Sequence, residues 1–246
     1  WDDRKLTAVL KELRIARANL ELSFKVVDWC VARKGVTPTV ITYNALISAC
    51  EKASESNRAF EVFEDMRREG VAPTVITYNS LISACAKAGE SDRAFEVFED
   101  MRREGVAPNV ITYSALIRTC ANTRQWQRAL DLVEKDMPRA GIQPNLVSHT
   151  ALQDALWAGR QYGKCAARMG KLIDAGDAAA GCERKGLLDL HELSPGAACC
   201  RVLLWLDQKK DTRSTLSAVV IVTGKGLSRE AHQTSDSVVR AAVTTM

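Results

Sequence analysis

Residues 40–74 and 75–109 are two copies of one 35-residue sequence. They align without a gap and differ only at Ala45/Ser80, Glu51/Ala86, Ser54/Gly89, Asn57/Asp92 and Thr74/Asn109. A tandem period of this length restricts the fold more than any composition does. Each copy is one supersecondary unit that cannot bury its apolar faces alone, so neighbouring copies must stack. A third copy spans 110–145, with one extra residue near Lys135-Asp136, and a degenerate fourth spans 146–177. Residues 1–39, ending in Gly35-Val36-Thr37-Pro38-Thr39, form a degenerate first copy. Drift at both ends is expected of units that cap a stack.

Each copy reads as two helices, here A and B. In 75–109, Tyr78, Leu81, Ile82 and Cys85 recur at the three-to-four spacing of a helical stripe. Lys87-Ala88-Gly89-Glu90 interrupts it as a turn, and Ser91 is a candidate N-cap for helix B. Ala94, Phe95, Val97, Phe98 and Met101 supply the apolar side of that helix. Gly105 stands where a left-handed C-terminal residue belongs, and Pro108 prevents continuation. The expected fold over most of the chain is an all-α helical-repeat solenoid.

Composition fits a folded chain, with 46% hydrophobic and 26% charged residues among 246. No apolar run approaches the roughly 20 residues of a membrane-spanning helix, so no membrane partner is expected. The formal net charge of +4 hides an uneven distribution. The best-formed copies, 40–109, are acidic overall, so a polyanionic partner requires the acids to lie away from its face. Cys50, Cys85 and Cys120 recur every 35 residues, as small core residues do, and there is no Cys-x-x-Cys pair. The opening Trp1-Asp2-Asp3 lacks a Met and a basic leader, which points to a removed segment or a fragment.

Val-Ile-Thr-Tyr-Asn-x-Leu-Ile, Ala-Phe-Glu-Val-Phe-Glu-Asp-Met and Gly-Val-Ala-Pro-Asn, each in register, resemble the pentatricopeptide repeat family over roughly residues 4–177. The resemblance implies binding of single-stranded RNA at about one base per repeat, read by two side chains. Carried over, the reading pairs are Asn44 with Thr74, Asn79 with Asn109, and Ser114 with Asn145, with Thr150 opening a fourth. The first two imply a pyrimidine and the third adenine. Ile41, Ile76, Ile111 and Val147 would sandwich the bases, and Lys52 and Lys87 would contact phosphate, with Asn122 replacing the lysine in the third copy. A chloroplast or mitochondrial location is implied by the same resemblance. Three clear pairs distinguish at most about 64 sequences, too few to select one transcript. Further repeats upstream, or specificity from elsewhere, are therefore expected.

Beyond a linker at 178–186 the composition changes. Leu187–Leu190 reads as a strand, Ser194-Pro195 opens a helix to about Asp211, Ser217–Thr223 is a second strand, and Ser237–Val243 is helical. Strand–helix–strand implies parallel pairing. Leu188-Asp189-Leu190-His191 followed by Thr223-Gly224-Lys225-Gly226 resembles the small MutS-related (Smr) domain, and residues 187–246 are expected to form a small α/β domain of that kind, incomplete at Met246. The resemblance implies nucleic-acid binding, and in some members cleavage. Asp189 and His191 would be the catalytic pair, with Lys225 adding charge, and Gly224 and Gly226 would offer backbone N–H groups to phosphate. No cofactor is expected, except a divalent metal if the domain cleaves. Glu192 departs from the family's glycine after the histidine. Three readings stay open: an organellar RNA-binding factor, a repeat-guided RNA endonuclease, and a protein-interaction scaffold.

Overall fold

A computed structural model describes residues 5–6, 8–9, 20–176, 182–184, 187–190, 193–210 and 220–222. The chain divides into two compact units, Trp1–Thr123 and Arg124–Met246.

In the first unit, α1 (Leu20–Lys34) precedes three helices A, namely α2 (Val40–Ala53), α4 (Val75–Ala88) and α6 (Val110–Asn122), with helices B α3 (Ser56–Arg68) and α5 (Ser91–Arg103) between them. These helices stack as a helical-repeat solenoid. Successive A helices lie against each other, and each B helix packs on its own A helix and on the A helix that follows. The expected stripe is the core: Tyr78, Leu81, Ile82, Cys85 and Met101 are fully buried. The same edge-to-face aromatic pair recurs between repeats, Phe63–Tyr78 at 5.6 Å and Phe98–Tyr113 at 5.5 Å between centroids. Burial pushes the Cys50 thiol up to about 11 and the Cys85 thiol to about 12, so both stay protonated in the core.

Gly105 adopts φ +71°. Its N–H reaches Arg102 O at 3.1 Å, and the Val106 N–H reaches Met101 O at 3.0 Å, which ends α5 in a left-handed turn. Gly70 and Gly141 close their helices in the same way. Ser91 does not play its expected part. Glu90 is the N-cap of α5, and Ser91 is a buried first-turn residue. The equivalent Ser56 donates to Glu90 Oε1 of the next repeat at 2.9 Å. The Ser56 hydroxyl thus ties its repeat to the next.

In the second unit, α7 (Trp126–Asp131) runs into a π-turn (Leu132–Asp136) and a short α8 (Met137–Arg139). The extra residue of the third copy lies here. One turn widened to i→i+5 absorbs it, and Gly141, at φ +71°, resumes the pattern. Helices α9 (Leu146–Ala158) and α10 (Tyr162–Asp174) form the next pair. A three-stranded sheet follows, with β1 (Cys182–Arg184) antiparallel to β2 (Leu187–Asp189) and β2 parallel to β3 (Val220–Val222).

Between β2 and β3 runs α11 (Pro195–Lys210), which packs against both α9 and α10. Its first turn is fixed by one carboxylate. Asp154 Oδ1 accepts from Ser194 Oγ at 2.7 Å and from the Gly196 N–H at 3.0 Å. A Cβ at Gly196 would meet Asp154 Oδ1 at 2.6 Å and Asp154 Cα at 3.1 Å, so the approach requires glycine. Ala198, Val202 and Trp205 bury with Leu190 in a small cluster. The linker residues 178–181, 185 and 186, the rest of the second expected strand and Ser237–Val243 lie outside the described residues.

Candidate nucleic-acid interface

The residues expected to sandwich bases are the ones the fold leaves out of its core. Ile41, Ile76 and Ile111 are the second residues of α2, α4 and α6 and are 51%, 60% and 61% exposed, while the residue beside each, Thr42, Thr77 or Thr112, is fully buried. Val147, in the second unit, is 43% exposed at the same place in α9. These β-branched residues, at one position of successive copies, leave about half of their surface or more outside the packing.

Asn44 and Asn79 lie one helical turn further on and are half-buried. Each is linked to the last residue of its own copy through the next repeat. Thr77 Oγ1 accepts the Thr74 N–H at 3.0 Å, lies 3.3 Å from Thr74 Oγ1 and donates to Asn44 Oδ1 at 2.6 Å. Thr112 Oγ1 accepts the Asn109 N–H at 3.1 Å and donates to Asn79 Oδ1 at 2.7 Å. Asn79 Nδ2 also reaches Asn109 Oδ1 at 3.5 Å. Asn109 caps its helix, since Oδ1 accepts from the N–H groups of Ile111 and Thr112 at 3.0 and 3.1 Å. The two expected pairs are thus brought together, through a threonine that inspection of the repeat did not single out.

The third pair is divided: Ser114 is buried in the first unit, and Asn145 caps α9 in the second by accepting from the Ser148 N–H at 3.0 Å. Thr150 is half-buried and turned onto its own helix. Its hydroxyl donates to Leu146 O at 2.9 Å, one turn back in its own helix.

Charge is sorted between the helices. The A helices of the three clear copies hold one acid, Glu51, against Lys52, Lys87 and Arg118. The acidic excess of residues 40–109 lies chiefly in the turns, at Glu55, Glu69, Glu90 and Glu104, whereas the B helices nearly balance their acids with arginines. There Arg67 pairs with Glu104 of the next repeat, and Arg68 with Asp65 at 2.9 Å. Lys52 is exposed, with no ion pair among the described residues. Lys87 is bound within the protein, to the Glu51 carboxylate at 3.0 Å and to Glu51 O at 3.2 Å. Asn122 makes the equivalent bond, from Nδ2 to Ala86 O at 2.8 Å. This position therefore also satisfies the carbonyl end of the preceding A helix, a role that spacing alone could not reveal.

Of the expected catalytic residues, Asp189 ends β2 opposite Val222 of β3. His191, Gly224, Lys225 and Gly226 lie outside the described residues. No cluster of three His, Cys, Asp or Glu side chains suited to a metal occurs among the described residues. Nor, among these, is any helix long and apolar enough to cross a membrane.

Family models for a pentatricopeptide repeat domain, the PPR repeat family and a PPR repeat match residues 25–87, 73–122 and 111–135. No curated protein matches the chain. Among solved structures it is similar to the maize pentatricopeptide repeat protein PPR10, at 25% identity and a TM-score of 0.63, covering 84% of this chain and 29% of that one. PPR10 in complex with an 18-nt psaJ RNA element aligns at 20% identity and a TM-score of 0.65, over 85% and 28%. The PPR domain of Arabidopsis thaliana protein-only RNase P 1, in complex with tRNA, aligns at 17% and 0.62, over 84% and 98%. The latter two show likeness of fold. The chain spans less than a third of PPR10.

Proposed function

Residues 25–135 are pentatricopeptide repeats, and from that premise we propose that the chain binds single-stranded RNA along the face bearing Ile41, Ile76 and Ile111. The observation that carries this reading is that row of solvent-exposed isoleucines, each beside a polar reading residue in the adjacent turn. An apolar side chain on either side of a base holds it by its faces, whatever its identity. The amide or hydroxyl between them then meets its edge. The A helices that bear this face carry a single acid, Glu51, against Lys52, Lys87 and Arg118, so they oppose the phosphates with little like charge.

The test is fluorescence anisotropy with a short labelled RNA carrying a pyrimidine-pyrimidine-adenine core, titrated at several salt concentrations. Salt-sensitive binding is expected, together with a preference for that core over purine-substituted RNA that drops about fivefold in Asn79→Ala, the worth of one neutral hydrogen bond. Absence of salt-sensitive binding would favour a protein-interaction scaffold using the acidic faces of the B helices. A chloroplast or mitochondrial role in RNA processing, stabilisation or translation belongs to this proposal, and imaging the full-length gene product checks it.

A second reading is that residues 187–246 contribute an Smr-like site that binds or cuts RNA. What favours it is the parallel pairing of β2 with β3, which sets Asp189 opposite Val222 at the carboxyl ends of adjacent strands. Asp189 and His191 are the residues that would hold a divalent metal, which would supply Lewis acidity to a phosphodiester. RNA cleavage lost in both Asp189→Ala and His191→Ala, with binding retained, is the result this reading requires.

A further inference from the structure

The amides that read the bases are not free to choose which atom they present. Thr77 and Thr112 are fully buried at the third position of their helices, and each touches the asparagine of the preceding repeat. Each hydroxyl oxygen already accepts a backbone N–H, from Thr74 or Asn109, so its proton remains to be donated. The distances to Asn44 and Asn79, 2.6 and 2.7 Å, are those of O–H···O bonds and shorter than N–H···O bonds normally are. The atom facing the threonine is therefore the amide oxygen. The Asn44 Nδ2 has no acceptor among the described residues, and Asn79 Nδ2 has only the long contact to Asn109.

We infer that Thr77 and Thr112 are positioning residues for base recognition: by filling Oδ1 they fix Asn44 and Asn79 as hydrogen-bond donors. This rests on the proposed RNA binding and adds to it a chemical polarity. A donor held at a fixed point requires an acceptor on the base edge. Uracil and cytosine share one, O2, so a donor-only amide accommodates both pyrimidines without separating them. An amide free to turn over would present an acceptor as readily, and would tolerate edges that display N–H groups there. Each reading site is thus completed by the copy that follows it.

The experiment walks single adenine substitutions through a uridine-rich RNA and measures Kd for the wild type, Thr77→Val, Thr112→Val and Thr77→Ser. For the wild type, adenine at two neighbouring positions should each weaken binding by about fivefold. Thr77→Val should erase the penalty at one position and Thr112→Val at its neighbour. Thr77→Ser, which keeps the hydroxyl, should retain both. If the wild type binds but Thr77→Val keeps both penalties, the positioning role is wrong and RNA binding stands. A wild type that does not bind, or binds without base preference, overturns the reading beneath it. Should Thr77→Val fail to fold, side-chain relaxation of asparagine-labelled wild type decides. Order parameters near about 0.85 for the Asn44 amide support a held donor, and values below about 0.6 refute it.

Discussion

The first unit repeats its contacts, whereas the second converts the same positions to other uses. Between α2 and α6 an exposed isoleucine, a buried threonine, a reading asparagine and an edge-to-face aromatic pair recur in register. In the second unit, Thr150 spends its hydroxyl on its own helix, Trp157 stacks edge-on against Tyr162 of the same helix pair, and α11 is seated on α9 and α10 through Asp154. The positions expected to read bases keep their pattern where the next copy supplies a threonine against them. Where a different helix follows, the freed groups go into packing.

Breaking the seat of α11 gives the largest expected effect. Gly196→Val drives a Cβ into Asp154 and should cost about 2–3 kcal/mol. Thermal melting should show the loss in the second unit, while base preference at the Asn44 and Asn79 positions is unchanged. Loss of that preference would mean the two units do not divide the work as described. Ile76→Ala sharpens the contrast from the other side. It removes an exposed side chain, so melting should stay within about 0.5 kcal/mol, while RNA affinity falls by about 1 kcal/mol or more. Asp154→Ala deletes the acceptor for Ser194 and Gly196, and should lower stability by about 1 kcal/mol in the same melt.

Smaller still is the effect of Glu51→Ala, which copies the residue that the second repeat already has at Ala86. It releases Lys87 from its ion pair. Affinity for RNA should rise a few-fold, and the slope of log K against log salt should steepen by about 0.7. An unchanged slope would show that Lys87 serves only the carbonyl end of α2. Last is pH. The Cys50 and Cys85 thiols are raised from 9.0 to about 11 and about 12 by burial. The folded state therefore favours the protonated thiol, and this stabilisation is whole below pH 9.0. It should fade as pH rises towards those values, visible as a melting temperature that falls in that window and falls less in Cys85→Ala.

The helices were legible because their signals are local. A three-to-four apolar stripe, a glycine where φ must be positive and a proline beyond it locate α4 and α5 almost to the residue. The extra residue near Lys135 was equally plain, but its absorption as a π-turn was not, since periodicity counts residues and not hydrogen bonds. Ser91 misled because a serine before an apolar run looks alike whether it caps its helix or is buried in the first turn, as it is here. At the interface, the isoleucines and asparagines followed from the family resemblance. Thr77 did not, because its partner Asn44 lies 33 residues away and the contact exists only once two copies stack. The docking of α11 was hidden for a similar reason. Its sequence reads as the crossover of a strand–helix–strand unit, and nothing in it names Asp154.

The π-turn at Leu132–Asp136 has a bearing on how such a chain can change. An in-frame codon gained inside helix B is taken up within one turn, and Gly141, Pro144 and Asn145 return to their usual places relative to the next helix. The gain stays private to the helix that received it. A genetic accident of one codon, which in a β-sheet would invert every side chain beyond it, is here spelling variation inside a word whose ending is unchanged.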